Sequence, residues 1–244
     1  MADSTPKLEY SPELAEQLAQ ELEPLSAEEL LGWAAEKFGD CLCLTCSWQK
    51  QSSALVHMLS DLDLSVDVIE LDTQLFFRET YALRDLLVER YGLNLISPEI
   101  ISVAQQHLQE GPNLWERDPD RCCQIRKVEP LLRALEDYEI WFTGLRREQS
   151  PTRANLELVE RHTLPSGKQI AKVNPLAFWN RKEVWSYLRA NEIDYLPLYD
   201  RGYESIGCQP CTTVPIEIGN PRSGRWGGAK LECGIHTFDR EAHP

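Results

Sequence analysis

The chain has 244 residues, 42% of them apolar, 9% aromatic and 26% charged, which suits one full-size α/β domain with a tail and excludes a disordered, fibrous or many-domain chain. No run of ~18 apolar residues marks a membrane span and no apolar leader marks secretion, so no membrane partner and a cytoplasmic location are expected. The net charge of -14 argues against nucleic acid as a partner, because neutralising phosphates needs a surplus of Lys and Arg. The charge is uneven, however: residues 1–120 carry 7 basic and 23 acidic side chains, residues 121–244 carry 18 and 16. A small anionic ligand is expected to lie against the second half.

Residues 1–40 read as two leading helices. Ser11 caps the first, with Pro12 at its first position. Ser26-Ala-Glu-Glu29 is a capping box that opens the second, through Leu30, Leu31, Trp33, Ala34 and Phe38. Residues 41–197 read as an α/β core. Cys41 to Cys46 form a short buried strand, and Ser47 to Ser52 turn it into a helix through Ala54, Leu55, Met58 and Leu59. Val66 to Leu71 form a second strand, followed by a helix through Tyr81, Leu83, Leu87 and Tyr91 that Gly92 stops. A third strand at Leu93 to Ile96 precedes a weaker helix at Val103 to Leu108. The helix Lys127 to Leu135 is interrupted by Pro130, and Ile140 to Thr143 form the fourth strand. Alternation of this kind predicts a parallel sheet with helices on both faces. Leu158 to Thr163 and Gln169 to Val173 flank Pro-Ser-Gly-Lys as a hairpin, and Arg181 to Ala190 form an amphipathic helix. Residues 198–244, rich in Gly and Pro, read as an irregular, functional tail of the same domain.

Eight cysteines in a reducing compartment point to metal or catalysis rather than to disulfides. Cys41 and Cys43 face one side of their strand and Cys46 the other, which suits core packing. Cys122-Cys123 and Cys208-Gln-Pro-Cys211 offer four thiolates, fit for zinc or an iron-sulfur cluster. Vicinal cysteines diverge, which favours a 4Fe-4S cluster over one tetrahedral ion. Cys233 stands apart, among Gly227, Gly228 and Gly234 and flanked by Lys230 and His236. Nearby cations lower a thiol pKa, so Cys233 is the candidate nucleophile.

Three basic groups accompany these cysteines: Arg126-Lys127, the Gly144 to Arg153 loop after a strand end, and Arg222-Ser-Gly-Arg225. An open α/β sheet binds its ligand at such loops, and an anionic cluster needs nearby cations. Ser47 to Ser53 occupy a strand-to-helix turn able to hold an anion. They match neither G-x-G-x-x-G nor a Walker loop, and the missing glycines disfavour an ATP pyrophosphatase. Asp72-Thr73, at the end of the second strand, could bind a ribose or cap the next helix.

Together these segments resemble the adenylyl-sulfate (APS) reductases, the thioredoxin-dependent members of the phosphoadenylyl-sulfate (PAPS) reductase family. The resemblance runs from about Cys46 to His236. It is carried by Leu71-Asp-Thr-Gln-Leu-Phe-Phe-Arg-Glu-Thr80, Cys122-Cys123, Thr143-Gly-Leu-Arg-Arg-Glu-Gln-Ser150 with Arg153, Asn174-Pro-Leu176, Gly202 to Cys211, Arg222 to Arg225 and Glu232-Cys-Gly-Ile-His236. It implies an adenine-nucleotide α-hydrolase-like fold and a 4Fe-4S cluster on Cys122, Cys123, Cys208 and Cys211. It implies Cys233 as nucleophile, sulfate or phosphate contacts from Lys127, Arg222, Arg225 and His236, and nucleotide contacts from Arg153, Gly144, Ser47 and Asp72. The activity implied is reduction of APS to sulfite and AMP by thioredoxin or glutaredoxin, through an S-sulfocysteine. Alternatives are PAPS as the substrate, activity on both nucleotides, or a non-catalytic iron-sulfur nucleotide sensor. The sequence leaves open whether the chain forms a homo-oligomer.

Overall fold

The computed structural model describes residues 21–39, 41–230 and 232–236. The expected helix at Ser11 and Pro12 lies outside the described residues. Helix α1 (Ala27–Phe38) opens as its capping box requires: the Ser26 hydroxyl accepts from the Glu29 amide and the Glu29 carboxylate from the Ser26 amide. It buries Leu30, Leu31, Ala34 and Phe38.

The core follows as β1 (Leu42–Cys46), α2 (Lys50–Asp61), β2 (Asp67–Glu70), α3 (Arg78–Tyr91), β3 (Leu95–Ile96) and α4 (Val103–Glu110). Next come two short helices, α5 (Leu114–Arg117) and α6 (Pro119–Cys123), then α7 (Glu129–Leu135), β4 (Ile140–Phe142), β5 (Val159–Thr163), β6 (Gln169–Val173) and α8 (Arg181–Ala190). Six strands form one sheet in the order β3-β2-β1-β4-β6-β5. β1 is parallel to β2 and β4, and β4 is parallel to β6. The hairpin joins the parallel sheet, which ends on β5 as its one antiparallel strand.

Side chains of β1 alternate between two cores. Leu42, Leu44 and Cys46 pack with α1 and α2 residues such as Leu31 and Leu55, whereas Cys43 packs with Ile69, Trp141, Leu131 and Leu135 on the opposite face. Cys43 and Cys46 are therefore core residues, whereas Cys41, just before β1, is half-buried and belongs to neither core; helices cover both faces of the sheet. Leu198 and Ile206 of the tail, with Leu196 just before it, join the first core.

The helix expected at Lys127 to Leu135 differs in an informative way. Residues from Pro119 to Leu135 form one continuous rod in which Gln124–Val128 adopt a π-helical turn. Asp118 caps its start, its carboxylate accepting from the Arg121 amide at 2.9 Å. Pro130 does not break the rod. The Glu129 amide reaches back to the Gln124 carbonyl, five residues away, and the wide turn takes up the bond that proline has no hydrogen to make.

Candidate active site

The chain runs from β1 outward to β2 and β3, then returns to the other side of β1 as β4. An open α/β sheet has its ligand crevice at such a switch point, beyond the carboxyl ends of the strands. Here it holds a cavity of about 380 Å³, lined by the ends of β1, β2 and β4 (Thr45, Ile69 and Thr143), by the start of α2, and by the tail.

The β1–α2 turn closes without glycine. Trp48 takes a left-handed conformation (φ 55°) and buries its ring completely, its indole N–H donating to Glu70 Oε1 at 2.7 Å. Ser47, on the cavity wall, receives the Gln49 side-chain amide at 3.3 Å. Gly144 is needed for the α2 approach, since a Cβ there would lie 3.1 Å from Gln51 Cβ. The loop that carries Gly144 is held from beneath, where the Thr143 hydroxyl donates to Asn174 Oδ1 at 2.5 Å.

One end of the cavity is cationic. Lys127, Arg222, Arg225 and Arg153 line it together with Cys233 and His236. Arg225 is buried over the Trp226 ring at 4.3 Å, and its Nε donates to the Cys211 carbonyl at 3.2 Å. Its guanidinium lies flat on Gly207, where any Cβ would collide with it. Burial lowers the Arg222 pKa to about 10, while Glu232 opposes the fall. Burial raises the pKa of half-buried Cys233, but Lys127, the Ile235 backbone N–H and Arg225 outweigh burial and Glu232, leaving it below its usual 9.0. Lys230 does not supply that charge: its ammonium pairs with Asp120 at 2.5 Å. Nor does His236. Burial and the charges of Lys172 and Arg153 hold its pKa well below 6.5, so it enters as a neutral ring stacked on Trp141 at 5.4 Å.

Arg153 lines the cavity, yet protein acceptors already meet its guanidinium: Glu232 by Nε and Nη2, and Gln149 by Nη1. Asp72 is absent from the lining. Its carboxylate caps the turn at the Gln74 amide and accepts the Tyr81 hydroxyl, both at 2.8 Å. Lys50, Arg146, Glu148, Arg181 and Glu204 also line the cavity; all but Arg181 lie in segments the sequence marks, though none had a role of its own there. Lys50 sits 4.3 Å over the Tyr199 ring. Its burial, with Arg181 and Arg146 nearby, lowers its pKa to about 8.

Behind Lys127 lie the other cysteines. Cys123, Cys208 and Cys211 share a buried cluster with Trp226, with Cys233 packed at its edge, and Cys122 occupies the adjoining cluster with Leu114 and Ile125. Burial raises the thiol pKa of Cys122, Cys123 and Cys211, the last to about 12, and neighbouring thiols add to each rise. Cys208 Sγ lies 3.2 Å from the Thr73 hydroxyl, and Gln106 Nε2 donates to Cys122 Sγ at 3.9 Å. Among the described residues, no three His, Cys, Asp or Glu side chains converge closely enough for a single metal ion. Arg126 borders the sulfurs, buried, with Nη1 on the Thr73 carbonyl at 2.8 Å, whereas its Nε and Nη2 meet no protein acceptor.

Comparisons with known proteins identify the family. Residues 41–214 match the phosphoadenosine phosphosulfate reductase domain. The adenosine 5'-phosphosulfate reductase of Rhodococcus erythropolis is 42% identical over 92% of this chain and 94% of its own. The phosphoadenosine 5'-phosphosulfate reductase of Gloeobacter violaceus is 43% identical over 91% and 93%. A crystal structure of phosphoadenylyl-sulfate reductase from Candida auris, in complex with phosphate, superposes with a TM-score of 0.75 at 30% identity, covering 85% of this chain and all of that one. The fold and the sequence lead to one assignment: the chain belongs to the phosphoadenosine phosphosulfate reductase family.

Proposed function

We propose that the protein reduces APS to sulfite and AMP with two electrons from a thioredoxin-type dithiol, in the cytoplasm, as a step of assimilatory sulfate reduction. The observation that carries this reading is Cys233: a thiol made more acidic by Lys127, on the wall of a cation-lined cavity at the sheet's switch point.

Cys233 Sγ attacks the sulfate sulfur. The bond from that sulfur to the phosphate oxygen breaks, its electron pair leaves with AMP, and Cys233 becomes S-sulfocysteine. Anionic nucleophile and anionic substrate repel one another, so the charges of Lys127, Arg222 and Arg225 serve the electrostatic stabilisation that acyl and phosphoryl transfer also rely on. The neutral His236 ring contributes hydrogen bonding rather than charge. A dithiol thiolate then attacks Cys233 Sγ, sulfite leaves with the bonding pair, and the second thiol closes a disulfide. The two thiol protons pass to Cys233 and to sulfite.

Cys122, Cys123 and Cys211, whose thiols burial and mutual repulsion keep protonated, require a strongly cationic centre before they can ionise together. The residues fit a 4Fe-4S cluster held by Cys122, Cys123, Cys208 and Cys211: these are four buried cysteines in adjoining clusters, and Arg126 presents unpartnered buried N–H groups beside them. Such a cluster would supply an anionic body that ties the Cys122 to Lys127 segment to the Cys208 to Cys211 turn, while the electrons come from the dithiol. Lys127 stands between, facing both Cys123 and Cys233.

Anaerobic purification followed by iron and sulfide analysis and a sulfite assay on APS tests the reading. Sulfite production without iron, or iron without sulfite production, would each refute half of it. The relative named for PAPS keeps that nucleotide as a second reading, decided by comparing kcat/KM for APS and PAPS.

A further inference from the structure

Glu232 precedes the nucleophile and has a task that the reaction scheme above leaves unassigned. Its carboxylate, 14% exposed, accepts a fork from Arg153, with Nε at 2.9 Å and Nη2 at 2.6 Å. The Thr152 hydroxyl donates to it at 2.9 Å and the Ser150 hydroxyl at 3.2 Å, and Arg222 approaches to 3.6 Å. This is a built socket: two guanidinium groups and two hydroxyls from the loop after β4 and from the tail converge on one carboxylate. Forked Arg–carboxylate pairs fix direction as well as distance. Cys233 itself packs at the edge of the Trp226 cluster, and a second fixed point follows it. Gly234 (φ 91°) passes so close to α7's rod that a Cβ would meet Val128 Cγ2 at 3.2 Å, and His236 stacks on Trp141. Cys233 is thus suspended between two fixed points, one ionic and one aromatic.

The Glu232 carboxylate is filled by protein donors on both oxygens, so at this place it answers to position. The first half-reaction requires Sγ to be held inside the cavity, and the second requires it to be reached by a protein dithiol. These demands conflict unless the tail can let go.

Resting on the proposed APS reduction, we infer that Glu232 is a positioning residue: in the Arg153–Thr152–Ser150 socket it seats Cys233 for attack on the nucleotide, and release of that seat is what admits the reductant. The transferred sulfonate brings three oxygens sharing one negative charge onto the adjacent residue, beside Arg222 and Arg153. Those oxygens compete with Glu232 for the same N–H groups and loosen the seat once the first half-reaction is complete.

The test uses the full-length, iron-loaded protein and its Glu232→Gln and Glu232→Asp variants. The Asp variant keeps the charge and shortens the reach by one methylene, so it separates seating from electrostatics. Amide hydrogen exchange of the peptide covering residues 230–236 is expected to quicken roughly tenfold in both variants, the loss of a charged fork being of that order or more. The rate at which Cys233 gains SO₃ from APS, followed by mass without reductant, is expected to fall roughly tenfold in both. Sulfite release from pre-sulfonated enzyme by a dithiol protein is expected to hold or rise, and AMP affinity to stay within about threefold of the starting protein. Unchanged exchange would overturn the inference, and so would equal slowing of both half-reactions, or loss of AMP binding along with sulfonation. Should the unsubstituted protein gain no SO₃, APS reduction itself fails, whereas the exchange measurement still decides whether Glu232 seats the tail.

Discussion

Cys211 and Cys233 belong to the same buried cluster around Trp226, yet their thiols are driven in opposite directions. Burial, with Cys208 adding to it, pushes Cys211 up to about 12, whereas Lys127 carries Cys233 below its usual value against the same effect of burial. The lesson is that burial alone does not tell a reactive thiol from an inert or metal-seeking one. The neighbours decide: other thiols repel a charge on Cys211, and an ammonium invites one on Cys233. Two neighbouring sulfurs are thereby separated: burial and other thiols keep Cys211 protonated, while an ammonium favours the thiolate of Cys233.

The comparison breaks most sharply at Cys233. Cys233→Ser is expected to lower sulfite formation from APS by roughly a thousandfold or more, with iron content and AMP binding retained. Loss of iron in that variant would mean that the two classes of sulfur are not separate. Lys127→Ala comes next, with turnover reduced about a hundredfold and the thermal midpoint moved by no more than a few degrees; an equal loss of turnover and stability would count against an electrostatic role. Gly207→Ala displaces the Arg225 guanidinium without touching a sulfur. KM for APS is expected to rise about tenfold with kcat less affected, checked by steady-state kinetics.

The smallest effect lies away from the sulfurs, at Trp48. Trp48→Phe removes the indole N–H from Glu70 and is expected to cost about 1–3 kcal/mol in urea unfolding at neutral pH. Burial raises the Glu70 pKa, and the Trp48 hydrogen bond opposes that rise by favouring the carboxylate. The bond's contribution is therefore present when Glu70 is ionised and is lost as pH falls through its raised pKa, so the difference between variant and parent should shrink in acid.

Much of the frame was legible in the residues. The Ser26 capping box, the stop at Gly92, the hairpin across Pro-Ser-Gly-Lys and the alternation of Cys41 to Cys46 each rest on short-range physics that tertiary context did not override. The rod over Pro119–Leu135 was missed in part, although Asp118 and Pro119 are ordinary start signals, because the cysteines drew the reading toward ligands and Pro130 toward a break. Lys50 and Arg146 fell within segments already named, yet had no role of their own: Lys50 opens α2 and Arg146 follows β4, and only the closing of β1 against β4 brings them to one wall. Lys230 illustrates the converse error, since closeness in sequence to Cys233 suggested a partner that three-dimensional packing gave to Asp120.

The π-helical turn makes this region sensitive to its length as well as to its composition. Between Cys123 and Lys127 the chain winds in one residue more than a regular helix would use per turn. Deleting a single residue there, Gln124 for instance, would turn Cys122 and Cys123 by about 100° relative to Lys127 and remove the wide turn that accommodates Pro130. Such a shortened chain should lose turnover, an outcome that no single side-chain replacement in the same stretch would reproduce.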